Sequence, residues 1–76
     1  QDYTKAIALN PNFAEAYHNR GLVYVKLSEL EKGLADWKKA ASLYQQQGKT
    51  DDYQKLLNEI EKLEQLIKLK SLNVNP

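Results

Sequence analysis

The sequence predicts an all-α protein made of antiparallel helix-turn-helix hairpins, and three observations carry that expectation. The 76 residues hold only three glycines and two prolines, while strong helix formers such as Ala, Leu, Lys, Glu and Gln are abundant. Apolar residues recur at three- and four-residue steps in stretches separated by helix breakers. Displaced by 34 residues, the chain also matches itself: Asp2, Lys5, Ala6 and Leu9 fall on the identical Asp36, Lys39, Ala40 and Leu43, and Tyr3 falls on Trp37. That match ends after Tyr44, so the repeat stops near residue 45.

Residues 1–9 read as the end of a helix with Tyr3, Ala6, Ile7 and Leu9 on its buried side. Asn10-Pro11-Asn12 breaks it, because Pro11 lacks an amide hydrogen and turns the preceding residue away from helical geometry. Asn12, with Glu15 three residues on, predicts a capping box that opens a second helix running to about Leu27. Its buried side is Phe13, Ala14, Tyr17, Gly21, Tyr24 and Val25. Ser28-Glu29-Leu30-Glu31 predicts a second capping box and a third helix, with Leu30, Leu34, Trp37, Ala40, Ala41 and Tyr44 as its stripe and Gly33 within it. Gly48 fits a left-handed C-terminal cap. Thr50 is the expected cap of a fourth helix, with Asp51 and Asp52 against its N-terminal dipole and Tyr53, Leu56, Leu57, Ile60, Leu63 and Ile67 as its stripe. Asn73-Val74-Asn75-Pro76 reads as a loose tail.

Composition excludes several classes of function. Eleven Lys and Arg against ten Asp and Glu leave a net charge of +1, without the clustered positive charge that nucleic acid phosphates require. The absence of cysteine removes disulfides and thiolate metal sites, and a single histidine, His18, removes multi-His metal sites. No cofactor is expected. No apolar run reaches the ~20 residues of a membrane span, and no signal-peptide pattern opens the chain. These absences point to the cytoplasm. Methionine is absent even at position 1, which reads as a piece of a longer polypeptide.

The spacing Tyr17-x2-Arg20-Gly21-x2-Tyr24, then Gly33-x3-Trp37, then Ala40 resembles the tetratricopeptide repeat family. Each of these residues has a packing reason: Gly21 and Gly33 are small where two helices cross, Tyr17, Tyr24 and Trp37 fill the space around the crossing, and Ala40 continues the stripe. The preceding copy supplies Tyr3, Ala6, Leu9 and Pro11. The resemblance implies an α-α solenoid, with the second half of one repeat at 1–12, a complete repeat at 13–46 and a C-terminal capping helix at 50–72, as part of a larger repeat domain. Two positions depart from the pattern. Arg20 stands where Leu is usual, its stem expected along the groove with the charge at the rim, and Gln45 replaces the closing Pro.

In this family the first helix of each repeat lines a concave groove that holds a partner's peptide or helix. The resemblance implies a groove wall of Glu15, His18, Asn19, Leu22, Val25 and Lys26 here. Some members clamp a terminal carboxylate with Lys and Asn. Asn19 fits one such position, but Glu15, His18 and Leu22 stand where the clamp wants Lys or Asn. No second histidine, cysteine or glycine-rich phosphate loop accompanies His18, so it reads as a solvated groove-wall residue rather than a catalytic base. Lys32, Lys38 and Lys39 alternate with Glu29, Glu31 and Asp36, which reads as a solvated outer face.

The fourth helix poses a problem of its own. From Leu63 onward, Leu66, Ile67, Leu69 and Leu72 spread beyond one narrow face. Three arrangements answer this: pairing with a second copy, docking elsewhere in a parent protein, or lying at a membrane surface, although Lys62, Lys68 and Lys70 mixed with Glu61 and Glu64 make a weak basic face. The expected function is therefore a protein-protein interaction module without catalysis. The alternative is an architectural array terminus that forms a homodimer through its last helix.

Overall fold

A computed structural model describes residues 3–73 and contains four α-helices: α1 (Tyr3–Leu9), α2 (Ala14–Lys26), α3 (Leu30–Gln46) and α4 (Thr50–Asn73). Among the described residues there is no strand. Each helix packs on the next in sequence, so α3 is covered by α2 on one side and α4 on the other. The loose tail expected over 74–76 lies outside the described residues.

The turns are built differently from the expectation. Between α1 and α2 the Asn10 side chain accepts the Asn12 amide at 3.1 Å, and the Asn10 carbonyl accepts the Phe13 amide at 3.0 Å. This Asx turn leaves Phe13, not Asn12, at the N-cap, and no capping box forms with Glu15. Asn12 lies one residue too early for its side chain to reach the free amides of the first turn.

Ser28 does not open α3; it ends α2. Its φ of 63° is left-handed, its amide reaches the Val25 carbonyl at 3.0 Å, and the Glu29 amide reaches the Tyr24 carbonyl at 2.9 Å. That pair of bonds is a Schellman termination with Ser28 in the place glycine usually takes. Glu29 becomes the N-cap of α3 without any side-chain cap bond. The same termination recurs at the end of α3 around Gly48 (φ 73°), where the Gly48 amide reaches Gln45 and the Lys49 amide reaches Tyr44, as the glycine predicted. At the start of α4 the Lys49 carbonyl accepts the Tyr53 amide at 2.9 Å, so Thr50 is already helical rather than the cap.

The core joins Ala14 of α2, Trp37, Ala40, Ala41, Leu43 and Tyr44 of α3, and Leu56, Ile60 and Leu63 of α4. Tyr17, Val25, Leu30, Leu34, Tyr53, Leu57 and Ile67 pack around it half-buried. At its centre α2 and α3 cross through Gly21 and Gly33, both buried. The Trp37 indole lies against Gly21 and donates from Nε1 to the His18 carbonyl at 3.0 Å, so the ring is fixed by a hydrogen bond as well as by packing.

Several burial expectations are corrected. Leu9 is 79% exposed and Phe13 39%: α1 packs on α2 alone, and Phe13 stands ahead of the first turn of α2 as its N-cap. Ala16, Leu43 and Asp36 are buried and were not expected to be. Ala16 faces away from Ala14, on the side of α2 where α1 packs.

Candidate functional site

The expected groove residues divide into two groups. Glu15, Asn19, Leu22 and Lys26 recur at three- and four-residue steps on one face of α2, and all four are exposed. His18 and Val25 lie at the edge of that face and are half-buried. α2 and α4 both pack on α3 and not on each other, and the space between them over α3 is termed the furrow.

His18 is not the solvated wall residue that was expected. Its Nδ1 is hydrogen-bonded to the Tyr44 hydroxyl at 3.1 Å, and its ring meets Trp37 and Tyr44 edge-on. Burial pushes the imidazole below its ordinary value, while Glu59, Asp52 and Glu15 pull the other way. Burial also pushes the Tyr44 hydroxyl up, with Glu15 and Asp52 adding to the shift. The pair at the base of the furrow is therefore a neutral imidazole and an intact phenol at neutral pH. Tyr44 is 2% exposed, so it holds the half-buried His18 ring from beneath, and only the imidazole is offered toward the surface.

Asp52 and Glu59 on α4 and Glu15 on α2 surround this floor with negative charge. Sequence reasoning missed the α4 contribution because the self-match fails after Tyr44. A signal for it exists, since the same 34-residue displacement carries His18 to Asp52 and Val25 to Glu59.

Arg20 does not lie at the groove rim. Its Nε and Nη2 donate to both Asp36 carboxylate oxygens at 2.7 and 2.8 Å, and Nη1 donates to Thr4 Oγ1 at 3.3 Å. The guanidinium carbon stands 5.8 Å from the centroids of both Tyr17 and Tyr24. The Asp36 hydrogen bonds push the Arg20 pKa up despite burial, so the charge is permanent. Arg20 thus ties α2 to α3 and α1 on the side away from the furrow, and Asp36 leaves the solvated outer face where the sequence placed it. Lys32 and Lys38 do stay at the surface, pairing with Glu29 at 3.1 Å and Glu64 at 3.5 Å.

The apolar residues expected for self-association also divide. Leu63 is buried at 4% exposure and Ile67 packs against the core, so both belong to the docking of α4 on α3. Leu66, Leu69 and Leu72 remain 41%, 56% and 60% exposed. Asn58, Glu61, Lys62, Gln65, Leu66 and Leu69 line a shallow hollow of about 500 Å³ along this outer side of α4.

Among the described residues, no group of three or more His, Cys, Asp or Glu could hold a metal ion, and no helix is long and apolar enough to cross a membrane. Residues 1–28 match a family model described as TPR repeat. That match and the four-helix, strand-free architecture fit a segment of the tetratricopeptide repeat family, whose members serve in general as protein-interaction modules. Neither the curated proteins nor the solved structures gave a match to the chain.

Proposed function

We propose that this chain is a protein-protein interaction segment that holds a peptide or helix of a partner protein in the furrow between α2 and α4, and that it does no chemistry. One observation carries the reading: the packing of α2 on α3 leaves Glu15, Asn19, Leu22 and Lys26 on a single exposed face next to the half-buried His18, which the buried Tyr44 hydroxyl holds in place. Leu22 supplies a small apolar contact, Asn19 an amide able to bond a backbone, and the surrounding carboxylates favour a cationic side chain.

The same reading makes residues 13–46 a complete repeat and α4 its cap. Tyr17, Gly21, Tyr24 and Val25 are the residues with which α2 meets α3. Their counterparts 34 positions on are Asp51, Lys55, Asn58 and Glu59, all exposed and polar. A following helix would find no apolar side chain along this first half of α4, as a terminal helix of such an array requires, whereas Leu66 and Leu69 further along are exposed.

Selection of peptides from a random displayed library, followed by amide-shift mapping of the best binder, tests the reading. Shifts should concentrate at Glu15, Asn19, Leu22, Asp52 and Glu59, and the Leu22→Asp, Asn19→Ala variant should lose binding while keeping its helical circular dichroism. Binding that survives this variant with the fold intact would show that the furrow is not the site.

A second reading has its own observation. The exposed Leu66, Leu69 and Leu72 at the end of α4 favour self-association through that helix.

A further inference from the structure

We propose that His18 is a proton-driven switch of the furrow: once protonated, its ring leaves Tyr44 and turns to the carboxylates of Glu15, Asp52 and Glu59, the place a partner's cationic side chain would take. The proposal rests on the furrow reading and adds its regulation. Tyr44 is 2% exposed, and among the described residues its hydroxyl has one hydrogen-bond partner, His18 Nδ1 at 3.1 Å. The buried phenol hydrogen is satisfied only if Nδ1 accepts it, which places the neutral imidazole's own proton on Nε2. Protonation puts a hydrogen on Nδ1 as well. Either two hydrogens then face each other, or the hydroxyl turns to accept and its own hydrogen loses its only partner. The contact that holds the neutral ring thus works against the charged one.

The surroundings supply the alternative position. Glu15 lies three residues earlier on α2, Asp52 and Glu59 lie on α4, and all three are exposed and favour the charged imidazole. From α3 the ring meets only the uncharged Trp37 and Tyr44, while α1 reaches α2 through Thr4 and Arg20 on its other side. The His18 backbone is pinned, since its carbonyl accepts Trp37 Nε1 at 3.0 Å, so the movement is one of the side chain alone. Half-buried at the edge of the exposed α2 face, the ring reaches solvent by turning about its own bonds. An imidazolium there offsets part of the negative charge that draws a lysine or arginine, and the hold on a cationic segment weakens as His18 titrates.

NMR titration of the 76-residue chain from about pH 7.5 to 5 tests the movement without any partner. Nuclear Overhauser contacts from the His18 ring to Tyr44 and Trp37 should fade as the ring protonates, with helical circular dichroism unchanged. Tyr44→Phe should raise the midpoint of the His18 titration, because the neutral form loses its bond. A protonated ring that keeps those contacts, or a midpoint lowered or unmoved by Tyr44→Phe, overturns the switch. The second arm uses the best library binder that carries lysine or arginine and neither histidine nor carboxylate side chains. Over the same pH range its affinity should fall about fivefold more in the parent than in His18→Gln, whose amide oxygen accepts the Tyr44 hydroxyl without titrating. An equal fall in both overturns the competition with the partner's cation. A best binder that maps outside the furrow overturns the furrow reading and this consequence with it, whereas the ring movement stands or falls on the titration alone.

Discussion

A methyl group placed at the helix crossing gives a sharp test of how α2 and α3 are held. A Cβ at Gly21 would overlap Cδ1 of Trp37, lie 2.7 Å from its Nε1 and stand 3.1 Å from the Gly33 carbonyl oxygen. The indole has nowhere easy to go, being 4% exposed and bonded to the His18 carbonyl. Overpacking of this kind costs about 1–3 kcal/mol, and a shift of the ring that breaks the Nε1 bond adds roughly 1 kcal/mol. Against this, replacing glycine by alanine inside a helix gains about 1 kcal/mol. Gly21→Ala should therefore destabilise the chain by roughly 1–3 kcal/mol, lowering the melting midpoint by about 4–8 °C for each kcal/mol. Gly33→Ala should behave alike, because its Cβ would stand 2.9 Å from the Gly21 carbonyl oxygen, a backbone atom that moves only if the helices separate. Thermal and urea denaturation followed by circular dichroism at 222 nm and by Trp37 fluorescence measure both. Ala35→Gly, at an exposed position of α3, serves as the control and should cost only the propensity term of about 1 kcal/mol. A Gly21→Ala variant as stable as the parent or more so would mean that propensity wins and that the close crossing does not exist.

The remaining predictions concern the turns, the polar staple and the histidine. Ser28→Gly should stabilise by about 0.5–1 kcal/mol in the same denaturation assay, because serine carries the left-handed strain that glycine lacks, offset in part by added freedom in the unfolded chain. Gly48→Ala should destabilise by about 1 kcal/mol through its φ of 73° alone, since its Cβ would meet nothing within 4 Å. Asp36→Ala should cost about 2–3 kcal/mol by leaving a partly buried guanidinium without its two-pronged partner, and equilibrium urea unfolding would read the loss. For His18 the fold lowers the pKa beneath its ordinary 6.5, so the unfolded chain binds more protons between the two values. Stability should then be full above that ordinary value and fall as the pH drops below it. His18→Gln should flatten this slope in melting curves taken from about pH 7.5 to 5.5.

Much of the fold was legible because it depends on spacing along one chain. The stripes of α3 and α4, the two crossing glycines, Trp37 and the terminating Gly48 all follow from local periodicity and the demands of a close helix contact. What escaped was decided between helices. Ser28 followed by Glu31 has the letters of a capping box, yet the Tyr24 and Val25 carbonyls needed donors first, and the turn went to finishing α2. Arg20 and Asp36 each looked like a surface charge; only their meeting across the α2–α3 interface, 16 residues apart in the chain, buries one and stretches the other over two tyrosine rings. Leu9 and Leu43 are the same residue at the same place in the repeat, one 79% exposed and the other 3%. Their difference lies in their neighbours, which no pattern in the residue itself records. The groove face of α2 was legible, but the acidic residues opposite were not, since they belong to a helix the self-match never reached.

The strictly sequential packing has a kinetic meaning. Among the described residues every helix touches only the helix before it and the helix after it, so no loop longer than one hairpin has to close before contacts form. Chains with such local topology fold quickly, and search little for distant partners. α1, which buries none of its own residues, adds little to this process, whereas α3 contributes five residues to the core and meets both neighbours. Native-state amide exchange should therefore be graded, with α1 opening at little cost and α3 closing the protection hierarchy. Shortening the chain from its N-terminal side would trim the molecule by a turn at a time, while any cut within α3 would remove the only element through which its neighbours communicate.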